Sequence, residues 1–157
     1  METATVKELK EELKTRSHKE LLDLCLRLSV FKKENKELLS YLLFESSDEE
    51  VFIRTIKKDI HQSFMAINKD SFYYIKKSIR KILRETKKII RYSKKKETEV
   101  ELLLCFCYEL KKLRPSFENN YALHNIFIKQ VAIIRKVIST LHEDLQYDYK
   151  SELNDIL

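Results

Sequence analysis

Apolar residues recur along the chain in steps of three and four, the spacing that lines them up on one side of an α-helix. The pattern is cleanest between Phe72 and Lys96. At about 100° per residue, Phe72, Ile75, Ile79, Ile82, Leu83, Ile89 and Ile90 fall within an arc of roughly 120°, a core-facing stripe. On the same wheel Lys76, Lys77, Arg80, Lys81, Arg84, Lys87, Lys88, Arg91, Lys94 and Lys95 fall within roughly 140° of the opposite side, with Tyr73 among them. The spacing predicts one continuous helix over residues 72–96, its apolar edge buried and its cationic edge outside.

The remaining elements follow from the same periodicity and from their end signals. Thr5 with Glu8 and Ser17 with Glu20 are capping-box pairs, which predict a short leading helix within residues 1–16 on Val6, Leu9 and Leu13. A second helix follows on Leu21, Leu24, Cys25, Leu28 and Phe31. The polar run Lys32 to Glu37 reads as a break before a third on Leu38, Leu39, Leu42 and Leu43. Ser47 with Glu50 opens a fourth, from about Asp48 to Ile67, and Asn68 to Ser71 reads as a turn. So short a connection predicts an antiparallel hairpin over residues 48–96 with the basic helix as its second arm.

Thr98 with Glu101 opens a sixth helix whose run Leu102 to Tyr108 leaves little polar surface, which places it inside. Arg114, ahead of Pro115, ends it. After a loop over Ser116 to Asn120, a seventh helix is expected from Tyr121 to Leu145 with an apolar arc of roughly 160°. The tail, residues 146–157, reads as a fraying continuation with Leu153, Ile156 and Leu157 available for docking.

The expected fold is therefore all-α, a single domain over residues 1–157 with about six to eight helices and no β-sheet. Composition agrees: there is no Gly and one Pro, so the chain is poorly equipped for tight hairpin turns. A closed bundle and a stack of helical hairpins share this local pattern. The overlay of Leu22 to Leu28 on Leu104 to Leu110 matches too few residues to separate them.

Charge sharpens the picture of the fifth helix. The chain carries a net +6, while Lys69 to Lys96 alone holds 12 basic and 2 acidic residues. The rest of the chain, with 19 basic and 23 acidic residues, is slightly acidic. A helix evolved only for solubility would interleave Glu at i+4 from Lys, and this one accepts like-charge repulsion instead.

Several chemistries are excluded or disfavoured. Phosphate-cradling loops and the G-x-S-x-G elbow need glycines that the chain lacks. Cys105 and Cys107 lie about 200° apart on a helix and cannot share an ion. His124 and His142 share a face but stand roughly 27 Å apart along it. No apolar run reaches the roughly 18 residues of a membrane helix, and the opening METATVKELKEELK is unlike a targeting segment. The three cysteines, on apolar faces, read as reduced and buried, and the expected location is cytoplasmic.

The run VKELKEELKTR, Val6 to Arg16, resembles the opening of the SAP motif, a small helix-turn-helix unit, and that resemblance implies DNA binding. The chain departs from the motif directly afterwards, where Ser17 and His18 stand in place of a Gly-containing turn.

The functional expectation is a non-enzymatic helical interaction module, without catalytic, metal or cofactor residues. Its partner-binding residues are Lys76, Lys77, Arg80, Lys81, Arg84, Lys87, Lys88, Arg91 and Tyr73, presented to an acidic partner, an acidic protein surface or otherwise. Alternatives are a nucleic-acid backbone on the same face, with Tyr side chains stacking, and a face that is merely solvated. A homodimer seam built from leftover Phe, Tyr and Leu side chains is a further option.

Overall fold

The computed structural model describes residues 2–157, and over these the chain is helical with no strand. Eight α-helices follow in order: α1 (Val6–Lys14), α2 (His18–Phe31), α3 (Lys33–Ser40), α4 (Glu49–Met65), α5 (Phe72–Ser93), α6 (Lys96–Lys112), α7 (Tyr121–Ile138) and α8 (Glu143–Ile156). The expected all-α class is the observed one. The chain divides into two compact units, Met1–Phe44 and Glu45–Leu157.

In the first unit both capping boxes form. The Thr5 hydroxyl accepts from the Glu8 amide at 3.3 Å while the Glu8 carboxylate accepts from the Thr5 amide at 2.7 Å, and Ser17 and Glu20 repeat the exchange. Two orphan amides at each start are thereby satisfied. The break after α2 is narrower than the polar run suggested. Lys32 alone is extended, α3 restarts at Lys33, and the Asn35 amide donates to the Leu28 carbonyl at 2.8 Å across the joint. Beyond α3 the backbone widens into a π-helical turn over Tyr41–Glu45. No residue of α1, α2 or α3 is buried, Cys25 included, which corrects its expected burial.

The second unit is built around α6. Val100, Leu102, Leu103, Leu104, Phe106, Cys107 and Leu110 are all but sealed from solvent, and α4, α5, α7 and α8 each pack against this helix. Burying each such Leu or Phe contributes roughly 1.5–3 kcal/mol, so the continuous apolar run that marks α6 in the sequence also makes it the centre of the core. Phe106 meets Phe64 of α4 edge to face, with ring centres 5.5 Å apart.

The α4–α5 hairpin is antiparallel and is closed by one carboxylate. Ser93 and Thr98 both donate their hydroxyls to Oε1 of Glu49, at 2.5 and 2.6 Å, and Lys95 reaches Oε2 at 3.0 Å. The start of α4 is thus tied to the end of α5 and the start of α6. Thr98 accordingly sits inside α6, fully buried, instead of capping it, and the N-cap of α4 is Asp48, whose side chain accepts from the Val51 amide at 3.1 Å.

Two boundaries differ from expectation. The basic helix ends at Ser93, where Lys94 adopts a left-handed conformation with φ 57°, so that Lys95 and Lys96 belong to the next turn and helix. The seventh helix stops at Ile138. There the Ser139 and Thr140 hydroxyls donate to the Lys136 and Val137 carbonyls at 2.7 Å, and His142 caps a separate α8. Hydroxyls that bond back to carbonyls compete with the helical ladder at that point. The tail forms a full helix with Tyr149, Leu153 and Ile156 in the core and Leu157 about half exposed.

A cationic groove on α5 as the candidate interface

α5 is an unbroken rod of 22 residues. Ile75, Ile79, Ile82 and Thr86 are buried along one edge, and Thr86 returns its hydroxyl to the Ile82 carbonyl at 2.9 Å. That edge fixes the rotation of the helix. Lys77, Arg80, Lys81, Arg84 and Arg91 are consequently exposed and Lys76 and Lys87 partly so, whereas the Lys88 side chain, expected on the outer face, keeps only 15% of its surface open beside Glu85.

Charge on this face is little compensated. Glu85, the one acid within α5, lies 2.6 Å from the Lys88 ammonium and 3.8 Å from the Arg84 guanidinium. Among the described residues no carboxylate comes within ion-pair distance of Lys76, Lys77, Arg80, Lys81, Lys87 or Arg91. Of the acids at the start of α4, Glu49 pairs with Lys95, just beyond the end of α5, at 3.0 Å, and Glu50 pairs within α4, with Arg54 at 3.6 Å.

The two flanks of the rod differ. Toward α4, a depression of about 380 Å³ has an apolar floor that includes Ile56, Ile60, Ile82 and Ile89, and both signs of charge at its rim, Asp59 and Glu85 against Lys81. Toward α7, a shallow groove of about 360 Å³ is lined by Arg80, Arg84, Lys87 and Arg91 over Leu83 and Ile126, with no acid among them. Its cations stand at i, i+4, i+7 and i+11, so successive charges are about 4.5–6 Å apart along the axis. Tyr73 stands at the first turn, 65% exposed, its ring edge-to-face with Tyr74 at 5.3 Å. The structure therefore brings Arg80, Arg84, Lys87 and Arg91 together. Lys81 faces the other flank, and Tyr73 lies beyond the groove's end.

Sequence reasoning missed the floor of this groove. Leu83 reads as core and Ile126 as part of a wide apolar arc 43 positions later, and only the packing of α7 beside α5 shows that both line an open surface. It also missed a second concavity of about 590 Å³, which gathers Lys57, His61, Cys105, Tyr108, Glu109 and Glu152 from α4, α6 and α8. There His61 Nδ1 lies 3.1 Å from Glu109, Lys57 pairs closely with Glu101, and the Tyr149 hydroxyl donates to Glu101 at 2.9 Å. Burial, and then the nearby Glu101, raises the Glu152 carboxyl, and burial pushes the Cys105 thiol up to about 11. At neutral pH that sulfur stays protonated and is a poor nucleophile or ligand. No group of three His, Cys, Asp or Glu side chains that could hold a metal occurs among the described residues.

Fold and surface together define an all-helical protein with a cationic face on one helix, in which no described helix is long and apolar enough to cross a membrane. Comparison with protein-family models, with characterised proteins and with solved structures gives no match.

Proposed function

We propose that the protein is a non-enzymatic interaction module whose α5/α7 groove receives an acidic segment of another protein. The observation that carries this reading is the lining itself, four cations without an acid over an apolar floor of Leu83 and Ile126. A chain that offers carboxylates together with one or two apolar side chains matches both features, since charge steers the encounter and the floor excludes water. The free thiol of exposed Cys25 fits a reducing, cytoplasmic setting. Changing Arg80, Arg84 and Lys87 to Glu together tests the reading. Proteins captured from cell extract by the parent chain should be lost with the variant, while helix content stays the same. An unchanged set of captured proteins would remove the proposal.

The regular rise between cations favours one second reading, a single-stranded nucleic-acid backbone tracked by α5. Four phosphate contacts would give a salt dependence of log K with slope about −3. Titration with oligonucleotides across ionic strength separates the two, because absence of binding at low salt eliminates the nucleic acid and leaves the acidic protein.

A further inference from the structure

α5 is the most basic helix of the chain, with eight basic residues and one acid, and α8 is the most acidic, with five acids and one base. On α8, Asp144, Asp148, Glu152 and Asp155 are exposed and fall within about 80° of the helix circumference. Among the described residues Asp148, Glu152 and Asp155 have no ion-pair partner, and Asp144 has only the exposed His142, 3.4 Å away. Burial first, and then the carboxylates of Glu101, Asp148 and Asp155, raise the Glu152 carboxyl against the pull of Lys57, so this stripe is short of positive charge. Tyr147, 78% exposed, stands at its edge.

The acids match the cations of the α5/α7 groove in spacing. Counted forward from Arg80, the cations stand at 0, about 6, about 10.5 and about 16.5 Å along the axis; counted back from Asp155, the acids stand at 0, about 4.5, about 10.5 and about 16.5 Å. Laid antiparallel, Asp155 therefore comes level with Arg80, Glu152 with Arg84, Asp148 with Lys87 and Asp144 with Arg91, each within about 1.5 Å. Tyr147 follows Asp144 by three residues as Leu83 follows Arg80, and antiparallel helices keep equal angular offsets on one side. The Tyr147 ring is thus brought to the flank that holds the apolar floor of Leu83 and Ile126. A parallel arrangement would level the charges equally well but turn Tyr147 to the opposite flank.

The chain cannot make this contact with itself. α4, α5, α7 and α8 surround α6 in that order: α4 packs on α5, α5 meets α7 across the groove, α7 packs on α8, and α8 meets α4 across the concavity that holds His61. α5 and α8 are diagonal to each other with α6 between them. We propose that the acidic face of α8 in one copy of the chain docks in the α5/α7 groove of the next, antiparallel to α5, and so links copies head to tail. The contact joins unlike surfaces, so each assembly keeps a free groove at one end and a free α8 at the other unless it closes into a ring. This contact rests on the groove being a receptor for carboxylates, the function proposed above, and a foreign acidic segment would compete with α8 for it.

Exposed ion pairs are individually weak and are screened by salt, so assembly is expected at high chain concentration and low ionic strength. Sedimentation of the full chain from about 10 μM to 1 mM should show species larger than a dimer at low salt, which dissociate as salt is added. Asp144→Asn, Asp148→Asn and Asp155→Asn together silence α8, and Arg80→Gln, Arg84→Gln and Lys87→Gln together silence the groove. Each variant alone should associate at least about tenfold more weakly than the parent, with helix content unchanged. Mixed in equal amounts, the two should form one-to-one dimers and nothing larger, because one competent groove then meets one competent α8. A parent that stays monomeric, an assembly indifferent to either variant, or a mixture that remains monomeric or grows past the dimer overturns the inference. Where the parent stays monomeric and groove-dependent capture from extract persists, the function proposed for the groove survives; where both are absent, both fall.

Discussion

Cys107 is sealed inside α6, and burial pushes its thiol from 9.0 up to about 12, while Cys105 beside it is pushed to about 11. Between pH 9 and 11 the unfolded chain releases both protons and the native chain keeps them, so unfolding is favoured as pH rises. Each thiol contributes a slope of at most about 1.4 kcal/mol per pH unit, absent below its unfolded value and complete once the folded thiol also ionises. Stability measured by urea denaturation should therefore fall through this window, and Cys107→Ala should remove one thiol's share of the slope whatever it does to the absolute stability. Glu49 offers a second test at this scale. In Glu49→Ala the buried Thr98 hydroxyl and its neighbour Ser93 lose their shared acceptor, an expected cost of about 1–3 kcal/mol in the same measurement. Glu49→Gln keeps an acceptor oxygen and should recover most of that loss, because the Lys95 pair it gives up is half exposed and worth little. Neither role can be read from neighbours in the sequence. Thr98 has Glu101 three residues on and looks like a cap; its actual partner, Glu49, lies 49 positions back and becomes a neighbour only when α4 and α5 fold against each other.

At the scale of the element, α5 sets Lys76 and Arg80, Lys77 and Lys81, Arg80 and Arg84, and Lys87 and Arg91 one turn apart with like charge. Its stability comes from the buried edge of Ile75, Ile79 and Ile82, and its outer face works against it. A single Arg84→Glu would place an acid among Arg80, Lys81, Lys87 and Lys88 at the i±3 and i±4 positions. Several pairs of about 0.2–0.5 kcal/mol each would form, against the loss of the exposed 3.8 Å contact with Glu85. The substitution should raise stability by about 0.5–1 kcal/mol at low salt, with the gain shrinking at high salt, while binding through the groove weakens. A variant that is no more stable than its parent would show that the cations are already relieved of their repulsion. This helix was legible in the sequence because a single period governs all of it and one buried stripe sets its rotation. The α7/α8 boundary was not, because Leu141 and Leu145 keep the apolar period running through it. The local hydroxyl bonds of Ser139 and Thr140 end the helix there without disturbing the pattern.

For the whole molecule, the apolar cluster of the core runs from Ile60 to Ile156, all within Glu45–Leu157. That unit has what independent stability requires: α6 enclosed by four helices and a hairpin closed through Glu49. The sequence reading spread one core over residues 1–157 because Leu22, Leu26 and Val30 carry the same helical period as buried residues do, and periodicity identifies an apolar face without saying what covers it. A chain shortened to residues 45–157 should keep the helix content of α4 to α8 and melt cooperatively within a few degrees of the parent, as followed by circular dichroism. The peptide of residues 1–44 should behave differently. Its helices have nine, 14 and eight residues, at or below the roughly 12–15 at which isolated helices are marginal in water, and none of them buries a side chain. Helicity of that peptide should be low in dilute solution, as followed by the same measurement. Helicity that is already high would show instead a unit that stabilises itself.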